Sequence, residues 1–226
     1  MRRAMTDSAK AEKARLILDT AREIYRERDF NAIKMSDIAK AANVSNGSLF
    51  FYYKTKEILF MEILFQEYAK RFRNFADLLL PYGTMTHDEF KTFFLGEMAS
   101  ILDRDSLLIR LSAIKNTILE KNIDLETAVK DSTGLYAILE NIVRLLTERV
   151  TDLNAEAFYE LLLAQNAIIV GYANMASMPD VLLQAIDEHQ LQGFQIDFKQ
   201  NALTAMEYYL AGFYERRRLA DERKRV

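Results

Sequence analysis

The 226-residue sequence predicts an all-α protein of about nine helices: an N-terminal three-helix domain containing a helix-turn-helix, then a larger helical domain. Three observations predict this. Apolar residues recur at helical spacing almost everywhere, with no run of strand-like alternation. Two prolines in the whole chain enforce few breaks. Seven glycines (47, 83, 96, 134, 171, 193 and 212) lie too far apart to form a glycine-rich loop.

The first helix is expected over about 8–29, with Leu16, Ile17, Thr20, Ala21, Ile24 and Tyr25 forming one apolar stripe, and Asp29-Phe30-Asn31 ends it. A short helix follows at about 36–42, closed by Asn43, a residue that tolerates the left-handed conformation. Ser45 then caps another short helix over about 46–52. Lys54-Thr55-Lys56 breaks it, and Thr55 caps a long fourth helix running to about Leu80. Ile58, Met61, Phe65, Phe72, Phe75 and Leu79 mark one face of that helix, and Pro81-Tyr82-Gly83 stops it. Thr86-His87-Asp88-Glu89 is a capping box opening a helix to about 102. Further helices read at about 106–121, 125–150 and 155–176, with Asp124 and Asn154 as caps. Pro179 suits the first turn of a short helix to about 189. A last long helix spans about 196–218, and the charged tail ADERKRV is expected to fray.

Composition narrows the function. Half the residues are hydrophobic and 28% are charged, a globular profile. No apolar run approaches the ~20 residues needed to cross a bilayer. The N-terminal MRRAMTDSAKAEKAR has charge but no apolar core behind it, so it is not read as a secretory signal, and the cytoplasm is the default compartment. With no cysteine and two unpaired histidines, His87 and His189, no metal site, cofactor or thiol nucleophile is expected. Asp103/Asp105 and Asp187/Glu188 read as solvated charge, and no nucleophile–base pair is visible, so the chain is not read as an enzyme.

The net charge of −3 divides unevenly. Residues 1–56 carry 12 Lys and Arg against 7 Asp and Glu, a balance of +5, while the remainder stands at −8. A basic head on an acidic body fits contact with a polyanion, although it also fits ordinary surface variation.

The stretch KMSDIAKAANVSNGSLFFYYKTKEILF, residues 34–60, carries the chemistry. Two helices of about two turns joined by a short turn have the size of a helix-turn-helix, whose second helix enters the major groove. With Leu49 and Tyr53 facing inward beside Ile38, Ala42 and Val44, the residues Asn46, Gly47, Ser48, Phe51 and Tyr52 face outward or lie at the edge. No acidic residue occurs from Ala41 to Lys56. Asn pairs with adenine edges, Gly admits close backbone approach, hydroxyls bond phosphates, and a ring packs on a thymine methyl. The alternative is that FFYY is core. Four consecutive aromatics sweep about 300° of a helix, so at least one must be exposed.

Residues of about 12–60 resemble the DNA-binding domain of the tetracycline-repressor (TetR) family. The resemblance rests on the first helix ending in Asp29-Phe30, on Asp37-Ile38-Ala39, on Val44-Ser45-x-Gly47-Ser48-Leu49, and on the aromatic run into Lys54-Thr55-Lys56-Glu57-x-Leu59. It implies DNA contacts from Asn46, Gly47, Ser48 and Phe51, a phosphate contact from Tyr52, and a backbone contact from Lys56. Lys34, Ser36 and Ser45 complete the implied DNA-binding set. Lys34 stands where a capping Thr or Ser is usual, with Ser36 as the substitute cap. Phe50 replaces a usual Tyr and Asn43 a usual Gly.

The same resemblance implies a DNA-binding domain over 1–56 and a ligand-binding and dimerisation domain over 57–226. The implied function is a repressor that binds a palindromic operator on double-stranded DNA as a homodimer and is released by a small, largely apolar effector. One unit reads few base pairs, and two half-sites about 34–36 Å apart require a two-fold dimer. The implied dimer face lies on the last two long helices, through Phe158, Leu162, Ile169 and Tyr172, and Leu203, Met206, Leu210 and Phe213. Gly171 and Gly212, at about 1 kcal/mol each in mid-helix, fit close approach there. Intramolecular core is the other reading of these residues. An effector pocket in the body is implied around Phe65, Phe72, Phe94, Met98 and Leu102, with Asn116, Gln165 and Asn166 as polar groups, a pattern that ordinary core also matches. Effector binding would move the heads chiefly through the long fourth helix. Two other classes remain. One is a helical carrier protein whose aromatic patch meets a partner or lipid. The other is an all-α enzyme, which needs clustered acids, bases or metal ligands.

Overall fold

The computed structural model describes residues 7–103 and 105–224. Among them are ten α-helices, one for each span read from the sequence, three single 3-10 turns and no strand. They are α1 (Asp7–Glu27), α2 (Met35–Ala41), α3 (Asn46–Tyr52), α4 (Lys56–Leu79), α5 (His87–Ile101), α6 (Leu107–Ile114), α7 (Leu125–Thr147), α8 (Ala155–Ala176), α9 (Asp180–Glu188) and α10 (Phe198–Lys224). No single helix among the described residues is long and apolar enough to cross a membrane.

Local chemistry sets most boundaries. The side chains of Ser45, Thr55, Thr86, Asp124 and Asn154 each accept a backbone N–H three residues on, which caps α3, α4, α5, α7 and α8. Thr86 and Glu89 form the full reciprocal box. Asn43 sits at φ 51° beyond α2, with Val44 N–H bonding Ala39 O and Asn43 N–H bonding Lys40 O. This is a Schellman closure, with Asn in the position usually given to glycine.

Burial overrides periodicity elsewhere. On α1 the buried residues are Ile17, Leu18, Ala21 and Tyr25, while Leu16 of the expected stripe is exposed. The helix expected over 106–121 ends at Ile114, because Asn116 and Thr117 are weak helix formers and a turn lets Leu119 become fully buried. Helix α7 stops at Thr147, and the chain turns to bury Val150 and Leu153. Pro179 caps α9 from outside its first turn. Helix α10 continues to Lys224, past the end expected near residue 218, and Arg225 and Val226 lie outside the described residues.

The chain forms two compact units. The first comprises Met1–Arg71 with Arg110–Tyr136. Its core holds Ile17, Ala21, Ile33, Ile38 and Leu49 with Leu59, Phe60, Ile63 and Leu64 of α4. Phe60 is the aromatic hub, with ring centroids 5.2 Å from Tyr25 and 5.3 Å from Phe30. Arg110 lies over the Tyr25 ring at 4.3 Å and donates to the carbonyls of Arg26 and Arg28, satisfying orphan acceptors at the C-terminal end of α1. Burial pushes the Tyr25 hydroxyl up to about 12, with the cation of Arg110 opposing it.

The second unit comprises Phe72–Ile109 with Ala137–Val226. Helix α10 packs along α8 and α5 over a core that includes Phe75, Phe90, Phe94, Phe158, Leu161, Met206 and Leu210. One polar pair is sealed inside it: Gln165 donates to the carboxylate of Glu97 at 3.1 Å. Of the expected dimer contacts, Phe158, Leu162, Ile169, Met206, Leu210 and Phe213 are packed within the chain itself. Tyr172 and Leu203 are half-buried. Gly171 and Gly212 are exposed, and a Cβ at either would meet nothing within 4 Å, so neither serves close packing inside the chain.

Candidate nucleic-acid interface

The placement of α3 follows from the turn that precedes it. Asn43 reverses the chain after α2, Val44 becomes half-buried, and the hydroxyl of Ser45 accepts the Ser48 N–H at 3.1 Å. Leu49 is fully buried and Tyr53 nearly so, which anchors one side of α3. The other side is open. Asn46 and Gly47 are exposed, Ser48 and Tyr52 half-buried, and Phe51 is 74% exposed with its ring edge-on to Tyr52. Phe50 is also exposed. The aromatic run is therefore split between core and surface, as helical geometry requires. A Cβ at Gly47 would meet nothing within 4 Å and the φ there is not positive, so the fold itself does not demand glycine at this position.

Two expected DNA contacts, Lys56 and Ser45, have other work in the chain. The ammonium of Lys56 donates to the carbonyls of Phe30 at 2.7 Å and Ile33 at 2.9 Å, and lies 4.0 Å from the Phe30 ring centroid. Desolvation holds this lysine below its ordinary value. It ties the start of α4 to the turn after α1. Ser36 lies inside α2 and caps nothing; Asp37 accepts the backbone N–H of Lys34 at 3.2 Å instead. Lysine has no acceptor, so the Lys34 side chain cannot complete that box. Ser45 spends its hydroxyl on the cap.

Sequence reasoning missed Lys40. Among the described residues Lys34 and Lys40 are exposed with no ion pair, at either end of α2, whereas Lys54 is paired with Asp124 at 3.3 Å. An exposed lysine in the last turn of a seven-residue helix was the available signal.

The residues expected around an effector pocket are divided between the two units. Phe94, Met98 and Leu102 are packed core, as is Phe72; Gln165 is satisfied by Glu97; Asn116 and Asn166 are exposed. Phe65 of that set lines a cavity. This cavity, in the first unit, has a volume of about 390 Å³. Met61, Phe65, Ile123, Leu125, Ala128 and Leu135 form its apolar walls, and Lys115, Glu120, Asp124, Asp131 and Ser132 its polar groups. Asp131 is 8% exposed, and burial raises its carboxyl above the ordinary aspartate value, Lys130 opposing.

A helix-turn-helix whose second helix shows solvent an acid-free face of amide, glycine, hydroxyl and aromatic groups defines a DNA-binding regulator. Comparison with known proteins narrows the class. Residues 17–63 match the family described as bacterial regulatory proteins, tetR family, and residues 66–217 match the tetracyclin repressor-like C-terminal domain. The chain belongs to the TetR family of helix-turn-helix transcriptional regulators, which are DNA-binding proteins and not enzymes.

Similar proteins include the regulator QacR of Staphylococcus aureus, 41% identical over 54 residues, which are 24% of this chain and 29% of that protein. The uncharacterized regulator YuxN of Bacillus subtilis is 30% identical over 67 residues, 30% of this chain and 23% of that protein. The chain thus aligns with about a quarter of the length of these curated relatives. The solved structure of the fatty acid degradation regulator FadR from Bacillus halodurans shares the fold, with a TM-score of 0.55 and 16% identity over 93% of this chain and 97% of that one.

Proposed function

We propose that this chain is a cytoplasmic, ligand-responsive repressor that binds a palindromic operator as a homodimer and is released by a small effector. Residues 1–56 supply the DNA-binding domain and 57–226 the effector-binding and dimerisation body. The main support is the solvent-facing surface of Asn46, Gly47, Ser48 and Phe51 on a capped α3 whose opposite side is anchored by Leu49. Asn46 and Ser48 offer hydrogen bonds to base edges and phosphates, Gly47 leaves room for the duplex, and Phe51 offers a ring to a thymine methyl. Lys34 and Lys40 are exposed cations open to phosphates.

The proposed dimer uses the faces of α8 and α10 that the chain leaves uncovered. Leu163, Ala167 and Gly171 are exposed along α8, and Tyr208, Ala211 and Gly212 along α10. Small residues beside one large apolar group on each helix suit close helix–helix approach across a two-fold axis. An effector that prefers a body geometry in which the two heads no longer match two major grooves releases the DNA, by no more than its difference in affinity for the two states.

The test is a mobility shift with duplexes from the protein's own upstream region against scrambled duplexes. Selective binding at two chains per duplex is expected, weakening steeply with salt. Equal affinity for both duplex sets, independent of salt, contradicts the proposal.

A further inference from the structure

We propose that the cavity between α4 and residues 115–135 binds a small organic cation with an apolar body, its charge held by the carboxylate of Asp131, and that this is the effector site. The effector role rests on the regulator reading above; the binding itself does not.

Charge around the cavity is unevenly settled. Three lysines near it are each engaged by another acid: Lys115 by Glu120, Lys130 by Glu62 at 3.5 Å, and Lys54 by Asp124 at 3.3 Å. Asp124 also accepts the Thr127 N–H as the cap of α7. Asp131 has no hydrogen bond or ion pair among the described residues, although it is more than nine-tenths buried and lines the cavity. Lys130 and Lys115 lower its carboxyl only from a distance; a buried carboxylate without a hydrogen-bonded partner is costly, and a ligand that supplies a positive charge in contact reduces the cost.

The remaining walls select the body of that ligand. Met61, Ile123, Leu125, Ala128 and Leu135 are apolar, and Phe65 presents a ring that attracts a cation as well as packing an apolar group. The volume of about 390 Å³ lies within the roughly 300–1,000 Å³ range of small-molecule sites. An anion meets three carboxylates against one lysine in the lining. A neutral molecule leaves Asp131 desolvated and uncompensated. A metal ion finds no group of three ligating side chains among the described residues. An apolar monocation satisfies every wall.

The site also touches the reading head. Asp124 lines the cavity and holds Lys54, the second residue beyond α3. A ligand that displaces Asp124 or Leu125 acts directly on the turn that ends the reading helix.

The experiment is calorimetric titration of the full chain with three probes of matched size: benzyltrimethylammonium, N-benzylacetamide and 3-phenylpropanoate. The proposal expects the cation to bind, the neutral and anionic probes to bind at least about tenfold more weakly, and Asp131→Asn to weaken the cation by about tenfold or more, the range of a lost charge-assisted contact. Ala128→Phe, which fills the cavity and leaves Asp131 in place, is expected to abolish cation binding. Both variants are checked for native helicity by circular dichroism. Absence of cation binding, equal binding of the amide or the carboxylate, or unchanged affinity in a folded Asp131→Asn or Ala128→Phe chain overturns the proposal. Operator binding without any probe is measured separately, so a regulator that fails to bind the cation and a cation binder that fails to bind DNA are distinct results.

Discussion

The ammonium of Lys56 lies between the carbonyl of Phe30 and the face of the same residue's ring, 2.7 Å from the oxygen and 4.0 Å from the ring centroid. Together with the bond to Ile33 O, this clamps the first turn of α4 onto the turn that follows α1. Lys56→Ala therefore removes charge-assisted bonds inside the fold. Urea unfolding is expected to show a loss of about 1.5–3 kcal/mol, with DNA affinity falling as the domain loosens. The slope of log affinity against log salt is expected to stay the same. A phosphate contact would instead lower that slope by about one while leaving stability intact.

Gly47 separates folding from reading. Nothing in the chain stands within 4 Å of a Cβ there, and the backbone is not in the left-handed region. Gly47→Ala is expected to raise stability by about 0.5–1 kcal/mol, as the unfolded chain loses freedom, and to weaken operator binding. Thermal unfolding and a mobility shift on the same sample check both signs.

Which parts of this protein are legible in its sequence follows from the range of the interactions. Ser45, Thr86, Asp124 and Asn154 are readable as caps because a cap joins residues three apart. The outward face of α3 is readable because Leu49 and Tyr53 fix the inward one. Lys56 is not, since its partners lie 23 and 26 residues away and a lysine beside a helix start equally fits a phosphate contact. Phe158, Leu162, Met206 and Leu210 have the same helical spacing whether they meet another helix of the chain or another chain. The cavity is hidden for a similar reason. Asp131 in a helical pattern reads as solvated charge until folding buries it beside Phe65 without a hydrogen bond or ion pair.

Asp131 makes a pH prediction. Its carboxyl is raised above the ordinary aspartate value by burial, so the folded chain binds more protons than the unfolded one between the two values. Stability from this group therefore falls as pH rises through that window, beginning near about pH 4. Asp124 and Glu89 are lowered by accepted hydrogen bonds and act with the opposite sign. The isolating measurement is the difference between wild type and Asp131→Asn. The variant is expected to be the more stable above the window, with the gap closing as pH falls through it.

The uncovered faces of α8 and α10 make a prediction about assembly. Leu163 is 71% exposed and Phe158 fully buried on the same helix. Leu163→Arg is expected to convert dimer to monomer in sedimentation velocity at little cost to helicity. Phe158→Ala is expected to cost about 3–5 kcal/mol of stability through the cavity it leaves.

The proposed operator recognition has α3 reading bases from its exposed face, and Asn46→Ala probes that directly. Fluorescence anisotropy with duplexes from the upstream region, at several salt concentrations, gives affinity and salt slope together. Asn46→Ala is predicted to lower specific affinity by about 1–3 kcal/mol, the range of one lost bidentate base contact, while non-specific affinity and the salt slope stay at wild-type values. An Asn46→Ala chain that binds its specific duplex as tightly as wild type contradicts a base-reading α3.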